Sequence, residues 1–192
     1  VGYSPVYYEL DGARISNLVG HNAKSIAVEA IVTFLPRVVL DSMFAVLKLC
    51  KLVATNITLE PISSINAIIP PEMRNLNLVL VDVGAGTSDL ALTKDGVIFS
   101  YGMVPDAGDE VTERISEILL VDFPAAERIK RALSGKDRIE YKDIWGRARS
   151  VDIQNLKQSI APVVKKLAGS IAKAGIDLNG CKPSAVVVVG GG

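Results

Sequence analysis

Two rhythms of apolar and polar positions alternate along this chain: a period of two marks strands, and a spacing of three or four marks helices. Pro5 to Leu10 is aromatic and apolar, Asp11-Gly12 turns it, and Arg14 to Lys24 reads as polar loop. From Ser25 to Leu35, Val28, Ala30 and Val32 alternate with Glu29, Ile31 and Thr33, and Pro36 ends the strand. Arg37 to Leu52 carries Val39, Met43, Val46, Leu47 and Cys50 at helical spacing, with Asp41, Lys48 and Lys51 on the remaining face. Asn56 to Glu60 reads as a short strand and Pro61 to Ile69 as a short helix, closed by Pro70-Pro71.

A second region opens with the apolar run Leu78 to Val81, followed by Leu90 to Thr93, the turn Lys94-Asp95-Gly96, and Val97 to Tyr101. Asp109 and Glu110 then lead a helix to about Leu120, and Pro124 to Leu133 forms another, capped after Ser134 by Gly135. The third region begins as a hairpin, Arg138 to Ile144 and Arg147 to Val151, broken at Trp145-Gly146. Asp152 caps a long amphipathic helix with Ile153, Leu156, Ile160, Val163, Val164, Leu167 and Ile171 on one stripe, and Gly175 is expected to end it. Ser184 to Val189, continuously apolar, reads as a central strand.

Composition narrows the function. The 192 residues are 49% apolar with a mean hydropathy of +0.33, enough to bury a core. Lys+Arg and Asp+Glu both number 21, so nucleic-acid binding has no electrostatic footprint. Cys50 and Cys181 form no C-x-x-C pair and point to a reduced, cytoplasmic setting, while a lone His21 argues against histidine triads and multi-histidine metal sites. The chain opens on Val1 and stops at Gly190-Gly191-Gly192 straight after a strand, which is expected of a piece of a longer protein.

The densest chemistry lies at Asp82-Val83-Gly84-Ala85-Gly86-Thr87-Ser88-Asp89. An acid at the end of a buried strand followed by a glycine turn can hold phosphate and a divalent metal. The glycines let amides approach an anion, Thr87 and Ser88 add hydroxyl donors, and Asp82 can hold hydrated Mg²⁺. A glycine hairpin merely joining two strands is the alternative. A dinucleotide fingerprint fits poorly, because Asp89 stands where its third glycine belongs and a strand follows where a helix is needed. No G-x-x-x-x-G-K-[ST] loop occurs.

Four separated pieces together resemble one superfamily, that of actin, DnaK-type chaperones and sugar kinases. Asp82 to Asp89 is similar to its second phosphate motif, and Leu59-Glu60-Pro61-Ile62-Ser63-Ser64 to the connecting motif before it. Glu127-Arg128-Ile129-Lys130-Arg131-Ala132-Leu133-Ser134 resembles the helix that packs on adenosine, and Val186 to Gly192 the adenosine motif. Within it the chain resembles FtsA, the actin-like cell-division ATPase, with the pilus-assembly relative PilM as nearest competitor. The resemblance implies an α/β, actin-like (ribonuclease H-like) lobe over 74–192, with a small subdomain at about 131–165. An inserted β-α-β subdomain is expected over 1–70. It departs from the pattern at Ala85, at Ala107, and at Lys51, which replaces a usual helix-ending glycine. The first phosphate motif is not in the chain.

The resemblance further implies Mg-ATP as ligand, with Glu60 orienting the attacking water and Asp82 positioning Mg²⁺ through water. Gly84, Ala85, Gly86 and Thr87 would donate to the phosphates and Gly108 would allow close backbone approach. Glu127, Lys130 and Arg131 would clasp ribose and purine with Ser134 nearby, and Gly190 and Gly191 would pass beneath the nucleotide. Each also has a plain structural reading: an acid before a proline turn, a helix-start glycine, a solvated helix face, a linker. Expected partners are further copies in a filament and an FtsZ-like division protein near Trp145, with membrane contact only through segments outside this chain. Hydrolysis would be slow at most, and nucleotide affinity of the chain alone weak or nil. A DnaK-type or sugar-kinase ATPase and a non-hydrolysing pilus scaffold are the alternatives.

Overall fold

A computed structural model of the chain describes residues 2–15, 17–135 and 137–192, which gather into two compact units. The first comprises Val1–Val79 with Ala91–Tyr101, and the second Leu80–Leu90 with Gly102–Gly192.

In the first unit β1 (Gly2–Leu10), β2 (Ala13–Ile15) and β3 (Ile26–Thr33) form an antiparallel sheet in the order β2-β1-β3. Asp11 and Gly12 turn the β1–β2 hairpin with φ of 48° and 85°, the pair of positive values that matches the twist of two paired strands. That hairpin adds β2 within what reads as polar loop, because a two-residue turn brings Ala13 opposite Leu10 whatever the polarity that follows. The Asp11 carboxylate then accepts from the amides of Lys24 and Ser25 at 2.9 and 2.8 Å, fixing the start of β3. A bulge between Pro5 and Tyr7 accommodates the missing N–H of Pro5, where β1 is flanked by β3 alone.

Helix α1 (Arg37–Leu49) follows, and none of its described residues is buried. Lys51 takes φ +57° just beyond it, the left-handed conformation that a glycine would adopt without strain. Asn56 to Leu59 does not form the expected strand. Pro61 instead seeds α2 (Glu60–Ile68) in its first turn, where its missing N–H costs nothing. Ile65, Ile69, Leu78, Val79 and Leu92 are buried in this unit.

A four-stranded sheet runs in the order β6-β5-β4-β9, from β4 (Leu78–Val83), β5 (Ser88–Lys94), β6 (Val97–Val104) and β9 (Ala185–Gly190). Asp95 and Gly96 turn β5 into β6 with φ of 53° and 83°. The second unit adds α3 (Gly108–Leu119), α4 (Phe123–Arg131), the hairpin β7 (Arg138–Lys142) and β8 (Ala148–Asp152), and α5 (Ile153–Asn179). Ile115, Leu119, Ala126, Ile129, Ile139, Leu156 and Ile160 make one core.

Two helix ends differ from expectation. The α-helical part of α4 stops at Arg131 and tightens into a 3-10 turn over Ala132–Ser134, with Gly135 at φ −122° and so not left-handed. Gly175 does not end α5: it is buried within the helix, and the chain leaves at Gly180, whose φ of 70° is the turn that stops a helix.

Candidate functional site

The second unit holds the acid-and-glycine segment. Val81 is buried, and Asp82 follows half-buried near the end of β4. The Gly84 amide donates to Thr87 O at 2.9 Å, closing a tight turn in which a Cβ at Gly84 would lie 3.0 Å from that same oxygen. Strand β5 starts directly at Ser88, so the turn joins two strands and no helix follows it in the chain.

The turn is anchored through its carbonyls. Gly108 N donates to Gly84 O at 3.1 Å and Asp109 N to Ala85 O at 2.8 Å. First-turn amides of a helix have no partner within the helix, and the turn supplies it here. Glu110 completes the start of α3 by accepting from Ala107 N at 2.6 Å. Ala85, Gly86 and Thr87 remain exposed, and their amides donate to no acceptor among the described residues. Three successive exposed residues on a tight turn, with no acceptor shown for their amides, leave those donors for an anion.

Ser88 does not join that set. Its side chain is fully buried and its hydroxyl donates to Asp106 O at 2.8 Å, tying the hairpin to the segment before α3. This overturns the expectation of a second hydroxyl donor, because a serine at the first position of an inward-facing strand row is consumed by the interior.

Asp82 meets the end of β9. Gly190 has φ +108°, and a Cβ there would lie 2.7 Å from Asp82 Oδ1 and from Val83 N. Only glycine fits, on conformation and on space alike. Gly192 N donates to Val83 O at 2.9 Å, and a Cβ on Gly192 would run into Gly84 O. Asp89 lies near enough that the charge of Asp82 adds to burial in raising its pKa above the usual carboxylate value. A carboxylate whose ionisation is opposed by burial and by a neighbouring carboxylate is a natural counter-charge for a divalent cation. Among the described residues no group of three or more His, Cys, Asp or Glu could hold a metal alone, so a cation here would need oxygens from water and ligand.

Helix α4 brings the remaining charged groups. Glu127 Oε2 accepts from Thr112 Oγ1 at 2.7 Å and Lys130 Nζ at 2.9 Å, while Glu127 Oε1 accepts from Arg131 Nε at 2.9 Å. Lys130 Nζ also donates to Gly108 O at 3.1 Å. The hydrogen bond from Lys130, then that from Thr112, hold the Glu127 pKa down to about 2 against the opposing effect of burial. A Cβ on Gly108 would lie 2.6 Å from Gly192 Cα and 3.0 Å from Lys130 Nζ.

Of the residues singled out by sequence, the structure gathers Asp82, Gly84, Gly108, Lys130, Glu127 and Gly190 around one spot, joined by the exposed turn Ala85-Gly86-Thr87. Arg131 is 76% exposed at the rim, Ser134 is exposed on the 3-10 turn, and Gly191 has open space around it. Glu60 is exposed at the start of α2, in the other unit. Sequence reasoning gave no role to Thr112, Asp89 or Gly192, although Asp89 and Gly192 stand inside motifs quoted above and Thr112 in the helix that Asp109 leads. A threonine four residues after a helix-start glycine is the one signal that could have marked Thr112.

A second feature of this unit is an open groove of about 720 Å³ lined by Asp122, Arg128, Ile129, Tyr141, Asp143 and Ile144, among others. Asp143 shapes its edge. Burial opposes its charge, but the Arg147 amide, the Arg149 guanidinium and the Trp145 amide outweigh it and hold its pKa below the usual value. Ile144 N hooks onto Leu120 O at 2.8 Å, and Trp145 stands 60% exposed with the Arg147 guanidinium 5.5 Å from its ring centre.

The family profile described as "Cell division protein FtsA" matches residues 79–180, just over half of the chain. Cell division protein FtsA of Pseudomonas aeruginosa is 36% identical over 81 residues, covering 42% of this chain and 19% of that protein. The Escherichia coli K12 protein of the same name is 29% identical over 122 residues, covering 59% of this chain and 29% of that protein. The matched stretches thus span less than a third of those relatives. Among solved structures, the PilM-PilN type IV pilus biogenesis complex superposes with a TM-score of 0.67 at 18% identity, covering 100% of this chain and 49% of that one. MreB5 of Spiroplasma citri bound to ADP does so with a TM-score of 0.55 at 17% identity, covering 96% and 76%. These likenesses carry the fold, a mixed α/β actin-like architecture with a central sheet and a small inserted subdomain. The profile match, on the segment that carries the turn 84–87, α3, α4 and α5, carries the family: this chain belongs to the FtsA family of actin-like proteins.

Proposed function

We propose that this chain supplies one face of a Mg-ATP site in a protein that polymerises and holds bacterial division machinery at the membrane. The observation that supports it most directly is the turn 84–87. The carbonyls of Gly84 and Ala85 are committed to α3 while Ala85, Gly86 and Thr87 stay exposed, between Asp82 and Asp89 in the chain. That arrangement fits a phosphate chain with its cation. The amides and the Thr87 hydroxyl would bind phosphate oxygens, and Asp82 would hold Mg²⁺ through water, which in turn relieves the repulsion between Asp82 and Asp89. Glu127 would accept from sugar hydroxyls. When bound, Mg-ATP supplies a terminal phosphate whose presence or loss biases assembly, a role that asks for positioning more than for rate.

Two partners belong to this reading. Further copies of the protein would form the filament, and the groove beside Trp145 would receive a peptide of an FtsZ-like division protein. The exposed Ile144 and Trp145, held by a buried carboxylate, offer a prepared apolar anchor. The pilus-scaffold reading shares the fold, but the ending Gly86-Thr87-Ser88-Asp89 and the acids Glu60 and Asp82 favour a nucleotide-binding division protein.

Amide shift mapping on the chain tests the nucleotide reading. Mg-ATP at millimolar concentration is expected to move Ala85, Gly86, Thr87 and Gly108, with a dissociation constant above about 1 μM because half the phosphate cradle lies outside the chain. Adenosine should leave Ala85 to Thr87 unmoved. No shift at these residues with millimolar Mg-ATP overturns the proposal.

A further inference from the structure

The hydroxyl of Thr112 is an unusual feature in the middle of a helix. A threonine there ordinarily returns its proton to the carbonyl four residues back. That option exists, since Gly108 O lies 3.2 Å away, but Glu127 Oε2 is nearer at 2.7 Å and carries charge. One hydroxyl has one proton, and the shorter charge-assisted bond takes it. Thr112 itself has no solvent exposure.

The two oxygens of Glu127 are therefore unequal. Oε2 is committed to two sheltered donors, Thr112 and a Lys130 side chain only 13% exposed that Gly108 O also holds in place. Among the described residues Oε1 accepts only from Arg131, whose side chain is 76% exposed. A carboxylate fixed along one edge and displaceable along the other is an acceptor of set direction. It suits a ligand presenting hydroxyl donors on a rigid ring.

We propose that Thr112 is a positioning residue for sugar selection: it pins Glu127 Oε2 so that Oε1 is aimed to accept from the vicinal hydroxyls of a ribonucleotide. This rests on the Mg-ATP reading above and deepens it. Thr112 touches no ligand. It acts through Glu127, by removing the rotamer freedom that a solvated glutamate would otherwise lose on binding.

The variants Thr112→Val, which keeps the shape and deletes the donor, and Thr112→Ser, which keeps the donor, separate positioning from packing. The Glu127 carboxyl is titrated by carbon NMR in the free protein, and Mg-ATP and Mg-2′-deoxy-ATP are compared by shift titration. In Thr112→Val the Glu127 pKa should rise from about 2 toward 4.5, and Thr112→Ser should restore it. The wild type should prefer ATP to the deoxy form by about tenfold, the scale of one lost hydrogen bond to a charged group. That preference should vanish in Thr112→Val and return in Thr112→Ser. In a Glu127→Gln background Thr112→Val should have no further effect on it. Equal weakening of both nucleotides, or an unmoved Glu127 titration, overturns the role of Thr112 while leaving the nucleotide reading intact. Wild type that binds neither nucleotide sinks the nucleotide reading, and sugar selection falls with it.

Discussion

Lys130 reaches from α4 to the carbonyl of Gly108 at 3.1 Å, and the same glycine's missing side chain leaves room for Gly192. One residue thus sets the approach of a helix start, a helix face and the end of β9. Gly108→Ala is expected to destabilise the second unit by about 1–3 kcal/mol, the cost of overpacking, because its Cβ would meet backbone that cannot rotate away. Gly86→Ala should be nearly neutral to stability, since its Cβ would meet only Asp109 Oδ2, at 4.0 Å. Thermal melts of the two variants check the contrast, and equal midpoints would refute it.

Glu127 predicts an acid response. Its carboxyl is held at about 2 in the folded protein against an ordinary value of 4.5, so the bonds from Lys130 and Thr112 favour the folded state fully above pH 4.5. That contribution is lost as pH falls from 4.5 toward 2, because the unfolded chain takes up the proton first. Glu127→Gln should be less stable than wild type at pH 7, and the gap should narrow below pH 4. Denaturant midpoints measured from pH 7 to pH 3 decide it, and a gap that stays constant would show that the charge of Glu127 carries none of the stability.

The sequence reveals the strand–turn–strand around Asp82 because each step there is local: an apolar run, two glycines and an alternating strand decide their own geometry. The first half of the amphipathic stripe of α5 is legible for the same reason: Ile153, Leu156 and Ile160 are buried where it predicts, whereas Val164 is exposed and Val163, Leu167 and Ile171 are only partly covered. What escapes is whatever depends on a distant partner. Gly175 carries the mark of a helix end, yet a glycine ends a helix only when its φ turns positive, and at that position the chain continues helical. Ser88 has the chemistry of a phosphate donor, and only the fold shows Asp106 O taking its proton. Asn56 to Leu59 has strand composition, but strands need a neighbour, and Pro61 commits the following residues to a helix. The bonds from Thr112 to Glu127 and from Lys130 to Gly108 O arise where α3 meets α4, and neither helix taken alone announces them.

Asp89 predicts a trade between stability and cation binding. Burial, and then the charge of Asp82, raise its pKa in the folded state, so its ionised form opposes folding at neutral pH and the penalty eases as pH falls below that raised value. Asp89→Asn should therefore raise the stability of the metal-free protein at pH 7, by less than about 1 kcal/mol after solvent screening. It should also reduce any gain in melting temperature from added Mg²⁺. Melts with chelator and with millimolar Mg²⁺ test both halves, and an unchanged Mg²⁺ response would separate Asp89 from the cation.

The loop joining β7 to β8 allows fold and recognition to be separated. Asp143 is buried and accepts from the Trp145 amide at 3.0 Å, the Arg147 amide at 2.9 Å and Arg149 Nε at 3.3 Å, so it fixes the loop backbone. Trp145 is exposed and contributes little to that geometry. Trp145→Ala should shift the melting midpoint by no more than about 2 °C, as for other surface changes, while abolishing capture of an FtsZ-like peptide. Asp143→Ala should lower the midpoint clearly and increase the rotational freedom of Trp145, read as a fall in its fluorescence anisotropy. Because Asp143 is held below its ordinary pKa, the same loosening should set in for wild type as acid protonates it. If Trp145→Ala melts as early as Asp143→Ala, the indole is part of the core of this subdomain and the groove loses its anchor.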